Sequence, residues 1–173
     1  MKIAKEELEF LVLGRESIPA MLGMQEEAFA CMENTDVLRR NTADSLSCCF
    51  SPPSVSVGVF YRGEMIAFGI LYAPGKDAEN LAYDVPDIPN VELSANLKLA
   101  IVRPAYRGNG IQRMLIGELE RHAAAAGMRY LCSTVSPLNR YSRDNLLAAG
   151  YRIVKRLEKY GGLQRDLFSK RIG

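Results

Sequence analysis

Tryptophan is absent from this chain and histidine occurs once, as His122. The four cysteines, Cys31, Cys48, Cys49 and Cys132, form no C-x-x-C pair and no zinc-like spacing. A Cys/His metal site is thereby excluded, and no metal is expected. The thiols read as buried, reduced core residues. Long apolar runs are also missing. None approaches the ~20 residues that a membrane-spanning helix needs, so no membrane partner is expected. Charge of one sign is not concentrated anywhere. The net charge of +2 and the lack of a Lys/Arg block speak against nucleic acid, which calls for a strongly basic face. The opening MKIAKEELEF places acids where a secretory signal has its apolar segment, so the expected location is cytoplasmic.

What is present is ordinary for a globular fold: 173 residues, 48% hydrophobic and 24% charged, enough for one core without disulfides. The expected organisation is one domain over 1–173. A strand is expected within Glu7–Arg15. Two helical stretches follow, Ser17–Met32 and Thr35–Phe50, the second with Thr35-Asp36 as its N-cap. Alternating Val55, Val57, Val59 and Tyr61, then MIAFGILY, predict a hairpin turning at Arg62-Gly63-Glu64. PGKDAENLAYDVPDIPN is a long loop of the kind that often serves function. VELSANLKLAIV is strand-like and GIQRMLIGELERHAAAAG is an amphipathic helix, with His122 on its apolar face as a packed residue. YLCSTVS, SRDNLLAAG, YRIVKRLEKYGG and LQRDLFSKRI complete the chain as strand, helix, strand and strand. Gly161-Gly162 is the expected hairpin turn, or a border of the acceptor site through Tyr160. The result is a mixed α/β fold.

Between strand and helix lies VRPAYRGNGIQRML. It is either a turn whose glycines permit positive φ or a backbone cradle for phosphate. A helix N-terminus presents free N–H groups and a positive dipole end, and glycine allows close approach. Two phosphate motifs fail here. No lysine follows Gly110 as a Walker loop requires, and Arg113 occupies the third glycine position of G-x-G-x-x-G. A nucleotide-binding α/β domain is accordingly the weakest reading.

IVRPAYRGNGIQRML resembles motif A of the GNAT superfamily of acyl-CoA-dependent N-acyltransferases: a strand ending V-x-P, then [Q/R]-x-x-G-x-[G/A], then a helix. Arg107, Gly108 and Gly110 match, while Gln112 stands where Gly or Ala is usual. NRYSRDNLLAAGY resembles motif B, with Asn139, Ser142, Gly150 and Tyr151 in place. The resemblance implies a central mixed, mostly antiparallel sheet, splayed at the coenzyme A site and flanked by helices. It implies that the pyrophosphate of acetyl-CoA lies on Arg107, Gly108, Asn109, Gly110, Ile111 and Gln112. The pantetheine arm would pair with Ile101 and Val102, one of which polarises the thioester carbonyl, near Asn139 and Ser142. The acceptor would be an amine on a small molecule or peptide.

One departure bears on mechanism. The tyrosine that often protonates the leaving thiolate in this superfamily is replaced by Leu146. Tyr141, the nearest phenol in sequence, is the candidate substitute acid, and Glu92 is the candidate base, on a strand face shared with Ser94 and Asn96. Tyr83 and Asp84 are candidates for shaping the acceptor pocket. Leu146 also keeps open a second class of function, a module that binds or senses acyl-CoA without catalysis. The C-terminal strands are a place where two copies can pair into a homodimer.

Overall fold

The computed structural model describes residues 1–173. The chain begins with strand β1 (Leu8–Val12), helix α1 (Ile18–Ala30) and a short helix α2 (Ala43–Leu46). The hairpin β2 (Val55–Tyr61) and β3 (Glu64–Tyr72) follows, then β4 (Ser94–Val102) and α3 (Ile111–Ala125). The last elements are β5 (Tyr130–Val135), α4 (Arg140–Ala148), β6 (Arg152–Lys159) and β7 (Leu163–Arg171). The seven strands form one sheet in the order β1-β2-β3-β4-β5-β7-β6, parallel only between β4 and β5. No helix is long and apolar enough to cross a membrane.

Local chemistry explains the turns. Arg62 and Gly63 both have positive φ, as a tight two-residue hairpin requires. The β6–β7 connection is longer than the expected glycine pair, because Tyr160 (φ 56°) joins Gly161 and Gly162 in the left-handed region. The stretch Thr35–Phe50 is not one helix. Side chains there compete with helical hydrogen bonding: Asn34 accepts from the Asp36 N–H, and Thr42 caps α2 by accepting from the Ser45 N–H. The outcome is two 3-10 turns flanking the single turn of α2.

The sheet separates two apolar layers. Against one face, α3 and α4 contribute Leu115, Leu119 and Leu146 to a core with Val57, Ala67, Leu131 and Phe168. Against the other, α1 and α2 bring Met21, Met24 and Leu46 onto Phe68, Ile70 and Leu99. Gly69 sets the approach of α3, since a Cβ there would sit 2.9 Å from the Leu115 side chain. Leu115→Ala is expected to destabilise the fold by about 2–5 kcal/mol, read as a lower denaturant midpoint. An unchanged midpoint would contradict this packing.

The cysteines divide. Cys49 and Cys132 are buried, whereas Cys31 and Cys48 are exposed, which corrects the expectation that all four lie in the core. Cys31 follows the last turn of α1, and Cys48 sits on the outer side of the turn that buries its neighbour. Burial pushes the Cys49 and Cys132 thiols up to about 12. Only thiolate alkylates, so iodoacetamide at about pH 8 should label Cys31 and Cys48 and spare the other two in the native state. Peptide mass spectrometry reads the result, and rapid labelling of Cys132 would refute it.

Candidate functional site

Strands β4 and β5 pair only over Ser94–Asn96 and Tyr130–Cys132, then diverge. The Ser133 hydroxyl spans the start of the gap by donating to the Leu97 carbonyl at 3.1 Å. Across from β3, the register slips between Ile70 and Leu71, because Ile70 opposes Leu99 while Leu71 opposes Leu97. Lys98 is therefore the extra residue of a β-bulge, which bends a strand and redirects its side chains. Leu97, Ala100 and Val102 pack toward α3, while Leu99 and Ile101 join the α1 layer. Lys98 also points to that second side, donating to the Ser45 carbonyl of α2 at 3.0 Å.

The gap opens into a cavity of about 360 Å³. Leu97–Ala100 of β4 and Ser133–Val135 of β5 form its middle. Gln112 and Ile116 of α3, with the α4 cap Asn139 and with Ser142 and Leu146 of α4, line one end. The other end is built from Arg39, Asn41, Tyr72, Glu79, Tyr160 and Arg165. The cavity thus runs through the sheet, from the α3–α4 side to the α1–α2 side.

Beside the first end lies the glycine-rich turn. Helix α3 starts after Gly110, whose φ of 71° places it in the left-handed region, and no side chain caps it. By contrast, α2 and α4 are capped by Thr42 and Asn139. The first helical bond runs from the Met114 N–H to the Gly110 carbonyl. The six N–H groups from Gly108 to Arg113 have no protein acceptor. A Cβ on Gly108 (φ 81°) or Gly110 would meet nothing within 4 Å, so open space faces these donors. Unpaired N–H groups at the start of a fifteen-residue helix attract an anion. The turn itself is held by Asn109, which accepts from the Ile3 N–H and donates to the Tyr106 carbonyl. Arg107 is exposed beside it, with Nε 3.4 Å from the Val102 carbonyl. Ile111 is buried and anchors the helix start.

Gln112, the departure from motif A, has a visible partner. It donates to the Ser142 hydroxyl and accepts from the Asn145 amide, both at 2.9 Å, so it ties α3 to α4. Asn139 caps α4 by accepting from the Ser142 N–H at 3.2 Å. Ile101 and Val102 lie on β4 between the cavity and the turn, and neither lines the cavity.

The proton-transfer candidates named from sequence are not brought together. Tyr141 is 86% exposed on the outer side of α4, away from the cavity. Glu92 falls in the 3-10 turn Val91–Leu93 ahead of β4, where its exposed carboxylate pairs with Lys76 at 3.7 Å. Ser94 and Asn96 do share a face, but both are spent on the long loop: Ser94 donates to the Asn80 side chain, and Asn96 accepts from the Leu81 N–H. Tyr83 is exposed and Asp84 pairs with Lys159 at 2.8 Å; neither lines the cavity. His122 is half-buried, 3.5 Å from Glu118 on its own helix.

The cavity holds other polar groups that the sequence reading passed over as catalysts. The Tyr160 hydroxyl lies 2.7 Å from Thr134 Oγ1, and the Arg39 guanidinium stacks over its ring at 4.2 Å. Glu79 from the long loop approaches Arg39 at 3.9 Å. Tyr72 is pushed up to about 12 by burial and by the neighbouring Cys48 thiol, so it remains a neutral phenol. The glycine pair beside Tyr160 was the signal available in the sequence. Nothing local marked Glu79.

The acetyltransferase (GNAT) family profile matches residues 19–151. No curated protein sequence matches the chain. Among solved structures, an N-acetyltransferase from Staphylococcus aureus superposes with a TM-score of 0.72 at 15% identity, covering 96% of this chain and 99% of that one. A GNAT-family acetyltransferase from Streptococcus pneumoniae gives 0.73 at 18% identity, with coverages of 96% and 100%. A phosphinothricin acetyltransferase from Sinorhizobium meliloti, in complex with AcCoA, gives 0.73 at 16% identity, covering 96% of this chain and 89% of that one. At these identities the likeness is one of fold, and the profile match carries the assignment: this chain belongs to the GNAT family of acetyltransferases.

Proposed function

We propose that this protein transfers an acetyl group from acetyl-CoA to a primary amine by direct attack on the thioester. The observation that carries the reading is the row of six unpaired N–H groups from Gly108 to Arg113 beside a cavity that pierces the sheet. Those groups suit the pyrophosphate, and Arg107 adds a cation next to them. From there the pantetheine arm has an open strand edge to follow, past Val102 and Ile101 toward Leu97–Ala100. An arm bearing amides satisfies a strand edge much as an added strand does. Asn139 and Ser142 border the same end of the cavity.

The chemistry requires a neutral amine, a donor for the carbonyl oxygen and a proton for the departing sulfur. The nitrogen lone pair forms the C–N bond as the C–S bond breaks. The proton lost from nitrogen and the one gained by sulfur balance. Backbone N–H groups of β4 beyond Asn96, where β5 no longer pairs with it, are the candidate donors, those of Ile101 and Val102 among them. For proton transfer we favour the groups lining the cavity, Glu79 to receive and Tyr160 to give, over Glu92 and Tyr141. Thr134 holds the Tyr160 hydroxyl toward the gap. No acyl-enzyme is required, and no cysteine participates.

Leu146, buried where the family commonly has its tyrosine, supports the second reading of an acyl-CoA-binding module without catalysis. Thiol release distinguishes the two. With acetyl-CoA and a panel of amino acids, polyamines and peptides, release that depends on an added amine supports transfer. Tight acetyl-CoA binding with no acceptor-dependent release across the panel supports the module instead.

A further inference from the structure

The acceptor end of the cavity is lined by four cations and one carboxylate. Arg39, Lys98, Lys159 and Arg165 face it, against Glu79 alone. Two of the cations have an acidic neighbour: Lys159 pairs with Asp84 at 2.8 Å, and Arg39 lies 3.9 Å from Glu79. Lys98 and Arg165 have no carboxylate within 4 Å.

Both are hydrogen-bonded by neutral groups, and the acid that acts on Arg165, Asp36, does so only from beyond ion-pair distance. Lys98 donates to the Ser45 carbonyl at 3.0 Å and sits 4.9 Å from the centre of the Tyr72 ring. Arg165 is only 4% exposed, and its guanidinium donates to the carbonyls of Asp36 and Gln164 at 2.7 and 2.9 Å. A cation withdrawn from water is unfavourable unless an opposite charge faces it. The strand geometry sharpens the point. The bulge in β4 gives up regular pairing, and it is what turns Lys98 onto the α1–α2 side of the sheet. A lysine there serves no apolar layer and no ion pair.

Such a wall selects its amine. A polyamine or a lysine-rich peptide brings further positive charge and is repelled. An amine that also carries an anion meets Lys98 and Arg165 as counter-ions. The same cations disfavour the ammonium form of the bound nitrogen, which must be neutral to attack.

We infer that the acceptor is an amine carrying its own anionic group, a carboxylate or phosphonate within a few bonds of the nitrogen, and that Lys98 and Arg165 recognise that group. The inference rests on the acyl-CoA reading above and narrows it to a substrate class. The shared chemistry is a compact anion beside a primary amine, and the two anion types are separate arms of the test.

The test compares matched acceptors by acetyl-CoA-dependent thiol release. One arm holds amino acids, β-alanine and aminoalkylphosphonates. The second holds the amides and methyl esters of the same amino acids, and the third putrescine and spermidine. The anionic acceptors should exceed their uncharged counterparts by about 10-fold or more in kcat/KM, with the polyamines lowest. Lys98→Met should reduce kcat/KM for the preferred anionic acceptor by roughly 10- to 100-fold, mainly through KM, and Lys98→Arg should restore most of it. Lys98→Glu should reverse the order of acid and amide. Acetyl-CoA titration by calorimetry on the same preparations separates the two levels of the reading. Absence of acetyl-CoA binding overturns both. Binding with amides or polyamines used as well as the acids overturns this inference alone. So does binding with no turnover of any anionic amine, or a Lys98→Met variant whose KM for the acid is unchanged.

Discussion

Gly110→Val is expected to raise the Kd for acetyl-CoA by at least about 100-fold while the protein remains folded. Two effects act together. Gly110 has a φ of 71°, where a β-branched residue is strained by roughly 1–2 kcal/mol, so the turn shifts and its donors diverge. The valine methyls also enter open space in front of the N–H groups, where the phosphate oxygens need contact distance. Because nothing of the protein lies within 4 Å of that Cβ, the fold has no clash to absorb. The strain is a minor fraction of the stability of a domain of this size. Gly108→Val, at φ 81° and equally open, should behave alike. Calorimetry gives the affinity, and circular dichroism with thermal melting checks the fold. Undiminished affinity in a folded variant would remove the cradle from the account.

Tyr160→Phe is expected to lower kcat by about 100-fold with little change in acetyl-CoA affinity. The range follows from the 10²–10⁴-fold that a positioned acid typically contributes. Phenylalanine keeps the ring under Arg39 and loses only the hydroxyl bonded to Thr134, so the change isolates the proton donor. If kcat is unaltered, solvent protonates the thiolate and Tyr160 is a wall of the pocket. The same substitution in a Leu146→Tyr background is informative. A phenol supplied from α4 should recover part of the lost rate if the missing function is protonation.

The two halves of the site differ in how far sequence alone could reach them. The cradle was legible because it is local: strand, turn glycines and helix start are contiguous from Val102 to Leu115. Motif B pointed to Asn139, Ser142 and Leu146, and the structure brings all three to one end of the cavity because they fall close together on and at the start of α4. The acceptor half is assembled from distant pieces. Arg39 comes from an irregular segment after α1, Glu79 from the long loop, and Tyr160 and Arg165 from the C-terminal hairpin. They meet because β7 inserts between β5 and β6, a topology that adjacent-strand pairing does not reveal. Lys98 reaches that side only through a bulge, which alternation of apolar and polar residues cannot register. Local competition explains the remaining departures. The side chains of Asn34 and Thr42 bond backbone N–H groups that a continuous helix over Thr35–Phe50 would need differently placed. Glu92 lost its strand position for the same reason, because the Asn90 side chain accepts from its N–H and forms a turn.

The central claim is that the backbone at the start of α3 receives the phosphates of acetyl-CoA and that the gap between β4 and β5 receives its thioester arm. Amide NMR of the isotopically labelled chain, titrated with acetyl-CoA, tests this residue by residue. The account predicts that the largest shifts fall on the N–H groups of Gly108–Arg113, with a second set on Leu97–Val102. Saturable binding that leaves both sets unmoved, or no binding at millimolar acetyl-CoA, would contradict it.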